Sequence, residues 1–138
     1  MKTNTQERLL PEATPETEHF WAGAREGELR LQRCAACKHN YFPPQSFCPR
    51  CHSGDVSVFK ASGKGTIYGF NISHVPAPGL QPPYVIAVVE LHEGPRIMTN
   101  LVDCPPTPEA VHLDMPVEVT FIKQTEEISL PFFRPLAQ

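Results

Sequence analysis

Four of the five cysteines in this 138-residue chain fall in two pairs, Cys34-Ala-Ala-Cys37 and Cys48-Pro-Arg-Cys51, with ten residues between the pairs. Two residues between sulfurs let a single tight turn aim both thiolates at one ion. Two such turns supply the four tetrahedral ligands that Zn2+ prefers. A shell of four thiolates leaves no open position, so the expected role is structural. The same ligands could hold iron; a disulfide framework is disfavoured because the polar stretch Met1 to Arg8 has no apolar signal core. His39 and His52 flank the pairs but are not needed once four sulfurs complete the shell.

The other reactive side chains have no comparable pattern. Cys104 reads as a small, partly buried apolar residue at a strand end, since no base is placed beside it. His74, at the mouth of a proline-rich stretch, is the best lone candidate for a general base or an acyl-group contact, although a polar loop residue is its ordinary role. Gly63-Lys-Gly65 echoes a phosphate loop over three residues and reads as glycines at a strand bend. Glu90 and Glu93 flank a turn and read as solvated. No nucleophile elbow, phosphate loop or dinucleotide fingerprint is present.

The elements that must position these groups are short. Sixteen prolines in 138 residues, about twice the usual share, oppose long helices and favour short strands in stiff loops. One helix of about ten residues is expected near the N-terminus, with Thr14 as cap, Pro15 in the first turn and Thr17, Phe20, Trp21 and Ala24 on one face. Leu29 and Leu31 mark a strand entering the first cysteine pair, and Val56 to Phe59 a strand leaving the second. Alternation then continues through Gly65–Ser73, Tyr84–Leu91, Arg96–Val102 and Val117–Lys123, with Tyr84–Leu91 the most buried. With Val56–Phe59 as a fifth member, these strands suit a small closed barrel. The apolar tail from Leu130 to Leu136 shows no strand partner by spacing.

The expected organisation is mostly β: residues 1–27 a helical segment, 28–60 a metal ribbon, and 61–138 a barrel with a C-terminal tail. Residues 28–60 carry five basic and two acidic side chains, whereas residues 61–138 carry four basic and eight acidic. Polynucleotide binding draws on phosphate neutralisation over a broad basic surface, which the acidic C-terminal part does not offer. A single-stranded nucleic-acid module of ribbon and barrel is the alternative reading. The longest uncharged apolar run, Tyr84 to Val89, is far short of the roughly 20 residues a membrane span needs, so a cytoplasmic protein is expected.

In order along residues 27 to 136, Leu31-Gln-Arg-Cys34, Tyr41-Phe-Pro-Pro44, Cys48-Pro-Arg-Cys51, Gly63-Lys-Gly-Thr-Ile-Tyr68, Pro83-Tyr-Val-Ile-Ala-Val-Val-Glu-Leu91, Asn100-Leu-Val-Asp103, Met115-Pro-Val-Glu-Val119 and Pro131-Phe-Phe-Arg-Pro135 resemble the small zinc-ribbon/OB-fold proteins that accompany thiolase-like enzymes. The resemblance implies a rubredoxin-like zinc ribbon followed by a five-stranded OB barrel. It also implies a non-catalytic accessory subunit of a thiolase, acyltransferase or aldolase complex that holds or shields acyl-CoA in a hetero-oligomer. On this reading the CoA contacts are Arg33, Lys60, Lys64 and His74, and the partner contacts are Phe20, Trp21, Phe132, Phe133 and Arg134. Three places depart from the family's pattern: Asp114 stands where glycine is usual in a turn, Lys38-His39 replaces a glycine-containing knuckle, and Gly69 stands where a serine or similar residue is common.

Overall fold

A computed structural model describes residues 8–136. One helix, α1 (Glu18–Arg25), precedes eight strands: β1 (Arg30–Cys34), β2 (Asn40–Tyr41), β3 (Val56–Lys60), β4 (Lys64–Ser73), β5 (Tyr84–Leu91), β6 (Arg96–Leu101), β7 (Pro116–Lys123) and β8 (Ser129–Pro135). They form a three-stranded sheet in the order β2-β1-β3 and a closed barrel in the order β4-β5-β6-β8-β7.

The helix starts later than the spacing predicts. Thr14 accepts the Thr17 N–H on its carbonyl (3.0 Å), and the Thr14 N–H bonds back to Thr17 Oγ1 (2.9 Å). Pro15 and Glu16 are therefore spent in a turn, and Thr17 becomes the residue before the first helical turn. At the far end Gly27 takes φ +78°, a left-handed value that costs glycine little. The N–H groups of Glu28 and Gly27 then close on the carbonyls of Gly23 (2.8 Å) and Ala24 (3.1 Å), the two bonds of a Schellman stop. A helix of eight residues is not stable by itself. It holds because Phe20 is buried against Trp21 and Phe42, with ring centroids 5.0 and 5.2 Å away.

Two expectations about the barrel are corrected. The fifth barrel strand is β8, not Val56–Phe59, which pairs with β1 in the ribbon sheet over Arg30↔Lys60 to Cys34↔Val56. The tail that showed no partner pairs with β7 from Val117↔Pro135 to Lys123↔Ser129 and runs parallel to β6 at Leu101↔Phe133. Two prolines and the Phe132-Phe133 pair hide the period of two in this stretch. Pro131 and Pro135 are tolerated because β6 meets β8 only near Phe133, so the missing N–H groups fall where one side of the strand is unpaired.

Inside the barrel Ile67, Val85, Val89, Val117 and Phe133 are fully buried, and the same cluster continues without a break to Leu31, Leu29 and Phe20. Ribbon, helix and barrel thus share one core. Gly65 is dictated by that packing: a Cβ there would collide with the carbonyl of Glu90 on β5. The short phosphate-loop echo is a close strand crossing.

His19 on α1 has its Nε2 buried without a hydrogen-bond partner. Burial, then the Arg30 guanidinium, lowers its pKa below the usual 6.5. As pH falls, the unfolded chain takes the proton first, so stability drops from about pH 6.5 downward to the folded-state pKa. A His19→Gln variant should flatten that decline between pH 7.5 and 5.5, measured by urea unfolding. An unchanged slope would mean that His19 does not carry it.

Candidate metal centre and the surfaces around it

The two cysteine turns are built alike. Each folds back so that the N–H of the residue after the second cysteine bonds to the carbonyl of the first: Lys38 to Cys34 and His52 to Cys48, both at 2.9 Å. Closing the turn this tightly forces both residues into left-handed backbone, with φ +66° at Lys38 and +67° at His52. Asp114, the other position where glycine was expected, has φ +64°. These departures from the family pattern therefore sit at positions where a side chain is strained.

The turns bring the four sulfurs together, all within 4.8 Å of one another. Cys34 Sγ lies 3.5 Å from Cys51 Sγ, and Cys37 Sγ lies 3.6 Å from Cys48 Sγ. Four thiolates at about 2.3 Å from a tetrahedral Zn2+ would be about 3.8 Å apart, so the cluster fits such an ion closely. Backbone N–H groups point at the sulfurs, from Cys37 to Cys34 (3.4 Å) and from Arg50 (3.3 Å) and Cys51 (3.5 Å) to Cys48. His39 instead stacks near Tyr41, and His52 lies against Phe47.

The thiols are electrostatically divided. Burial pushes Cys48 up, but the N–H groups of Cys51 and Arg50 and the neighbouring thiols outweigh it, bringing its pKa down to about 6. The Ser53 N–H favours the Cys51 thiolate, yet Cys34 and the other crowded sulfurs push Cys51 up to about 12. Four sulfurs this close cannot all ionise unless a cation sits among them. That requirement is the chemical signature of a metal site. Cys104 is different: burial raises its pKa, opposite to an activated nucleophile, and its sulfur faces the carbonyls of Pro105 and Ala110 at 3.7 Å.

The residues expected to touch CoA do not converge. Arg33 is exposed, with its guanidinium 4.9 Å above the Phe59 ring and Nε donating to Asn40 Oδ1 at 2.7 Å. Lys60 and Lys64 lie near the ribbon–barrel junction, whereas exposed His74 follows the far end of β4, after ten residues or about 30 Å of strand. Of the expected partner contacts, Phe20, Phe132 and Phe133 are buried at 5%, 6% and 0% exposure and serve the chain's own core. Phe132 lies under the Arg8 guanidinium, 5.2 Å from its ring. Trp21 is half-buried, and Arg134 is exposed beside Glu118 at 3.3 Å.

Two features escaped the sequence. One is a cleft of about 480 Å³ between ribbon and barrel, with Lys38, His39, Asn40, Arg50 and Glu93 in its lining. Asn40 Nδ2 bonds to the Glu93 carbonyl (3.0 Å), and the Glu93 carboxylate accepts from the Ser62 N–H (2.8 Å), so the same groups tie the two sheets together. Three separate loops build the cleft, and no local motif announces it. The other concerns β5, whose burial alternates strictly, with Ile86 and Val88 half-exposed on the outside. The strand expected to be the most buried is fully buried on its inward face only.

A tetrathiolate ribbon feeding a closed barrel whose third and fifth strands run parallel defines a class: a rubredoxin-like zinc ribbon joined to an OB-fold barrel. Family models agree, one described as the rubredoxin-like zinc ribbon domain of ChsH2 over residues 21–57 and one as its C-terminal OB-fold domain over residues 60–121. A DUF35 domain-containing scaffold protein of Methanocaldococcus jannaschii is 41% identical over 69% of this chain and 68% of its own length. The chain belongs to the DUF35 family. It is also 42% identical to a probable enoyl-CoA hydratase alpha subunit of Thermomonospora curvata over 84% of this chain, but spans only 36% of that protein's length. The benzoylsuccinyl-CoA thiolase subunit BbsA of Thauera aromatica is 29% identical over 75% of this chain and 74% of its own length. Among solved structures, a chain of an Ltp2-ChsH2(DUF35) aldolase superposes with a TM-score of 0.79 at 38% identity, covering 91% of this chain and 98% of that one. Among the described residues no helix is long and apolar enough to cross a membrane.

Two outcomes test the centre. Cys48→Ser should lose stoichiometric metal, and chelation of the native protein should abolish amide protection across residues 30–60 first, because binding energy here is folding energy; protection that survives chelation would refute the metal's structural role. Lys38→Gly should raise unfolding free energy by roughly 0.5–1 kcal/mol by relieving the left-handed residue, whereas Lys38→Val should lower it.

Proposed function

We propose that this chain is a non-catalytic accessory subunit of a thiolase-like enzyme, a thiolase, acyltransferase or aldolase, that stabilises its partner and helps hold an acyl-CoA in the cytoplasm. The observation that carries the reading is the likeness, across nearly its whole length, to a chain of an aldolase complex. The thiolase subunit BbsA of Thauera aromatica lends support from a second relative. The bound ion is zinc, in a closed shell that stabilises the ribbon and takes no part in turnover. Thiols stay reduced, and so free to hold an ion, in the reducing cytoplasm.

The CoA contact is best placed at the ribbon–barrel cleft. Small-molecule sites are concave with a few placed polar groups, and Lys38 and Arg50 line this hollow beside Asn40, the hydrogen-bond partner of Arg33. Phosphates of CoA would meet these cations, leaving the acyl end directed toward the partner's active site. Lys60 and Lys64 flank Ser62, whose N–H bonds Glu93 of the cleft lining, whereas His74 follows the far end of β4.

Each thiolase-fold protein encoded in the source genome, co-expressed in turn with this chain, tests the reading. One of them should co-elute with it and lose most of its activity or solubility without it. Full activity of every such enzyme in the absence of this chain would overturn the proposal. In the complex, a Lys38→Glu/Arg50→Glu pair should weaken CoA binding about tenfold by calorimetry; unchanged affinity would remove the cleft from the CoA path.

A further inference from the structure

On a small barrel with a filled interior, the outward positions of each strand are ordinarily polar. The wall formed by β4, β5 and β6 breaks that rule. Val85, Ala87, Val89 and Leu91 point inward and are buried, so Ile86 and Val88 point outward. Register sets Val88 beside Met98 on β6 and beside Gly69 on β4, while Ile86 lies beside Asn100 and Asn71. Met98 is 74% exposed. A bulge between Ile67 and Gly69 throws Tyr68 out of the ladder, leaving it 53% exposed at the edge of the same strip.

This strip has the anatomy of a protein interface, an apolar centre within a polar rim. On one flank Arg96 bonds Glu90 at 3.0 Å and lays its guanidinium 3.7 Å over the Tyr68 ring. The ring is thereby held in place before any partner arrives, which reduces the entropy cost of docking. Asn71 and Asn100 form the opposite flank. Gly69, beside Val88, carries no side chain and has open space above it, so a partner can approach the backbone there.

Shape and charge decide between occupants. The outside of a closed barrel is convex, whereas small ligands need a hollow. Single-stranded nucleic acid takes the equivalent face of OB barrels through stacked aromatics and a basic groove; here the centre is aliphatic and its one guanidinium is paired with Glu90. A second protein with an apolar ridge meets both conditions. We infer that the outer face of β4–β6, with Val88 and Met98 at its centre and Tyr68 at its edge, is where the thiolase-like subunit docks. This inference rests on the accessory-subunit reading and adds to it the surface that joins the two proteins.

The test uses the full chain and the co-eluting thiolase-fold enzyme. Met98→Glu should weaken the complex at least tenfold, and Tyr68→Ala/Met98→Glu should abolish it, with metal content and thermal midpoint unchanged. Leu113→Glu, at another exposed apolar position outside the strip, should bind as the wild type does. Independently of any variant, peroxide oxidation of Met98 should be slowed in the wild-type complex, with buried Met115 as the internal reference. The inference fails if Met98→Glu binds as tightly as wild type, if Met98 oxidises at its free rate in the complex, or if the isolated chain is a dimer that Met98→Glu splits. A wild-type complex whose affinity ignores the strip refutes the docking face alone; no complex at all refutes the accessory-subunit reading with it.

Discussion

The closeness of four thiolates is the constraint on which the rest of this molecule depends. Cys34, Cys37, Cys48 and Cys51 crowd their sulfurs within 4.8 Å, a geometry that repels itself unless a divalent cation neutralises it. The ion replaces the core that a ribbon of some thirty residues is too short to build. Once the two turns are clamped, β1 lies flat between β2 and β3, and its inner residue Leu31 is delivered to the barrel's core beside Leu29. The cleft next to the ribbon follows from the same clamp, because Lys38 and Arg50 sit at fixed places in the cysteine turns.

The barrel works as the fixed half of this arrangement. Closure by β8 pairs the strand edges that an open sheet would leave for aggregation. It also separates inside from outside along every strand: Phe133 fills the centre, while Val88 and Met98 face away from it. The contacts of Asn40 and Ser62 with Glu93 then lock the barrel's β5–β6 turn to the ribbon. Sites on such a frame are held by packing on several sides, as a subunit that positions another enzyme requires.

What could be read from the chain was whatever is local. Cysteine spacing announces the metal turns because two residues between sulfurs is itself the geometry. Four barrel strands showed because alternation is a property of neighbouring residues. The last strand did not, since Pro131, Pro135 and two consecutive phenylalanines obscure the alternation and only its pairing with β7 restores it. The start of α1 was misplaced for a similar reason: Thr14 and Thr17 hydrogen-bond each other, and capping propensity does not reveal that competition. Grouping Arg33, Lys60, Lys64 and His74 into one site treated position along the chain as position in space, and β4 carries His74 away from the others. The aromatic pairs read as partner contacts were needed at home. A chain this small buries Phe20 and Phe133 in its core and Phe132 beneath Arg8, and leaves Met98 and Tyr68 to the solvent.

The most direct measurement of the central claim is zinc-edge X-ray absorption on protein purified without added metal. The account predicts one zinc per chain with a single shell of four sulfurs at about 2.3 Å. A shell containing nitrogen or oxygen, or a fully folded protein with no bound metal, would contradict it.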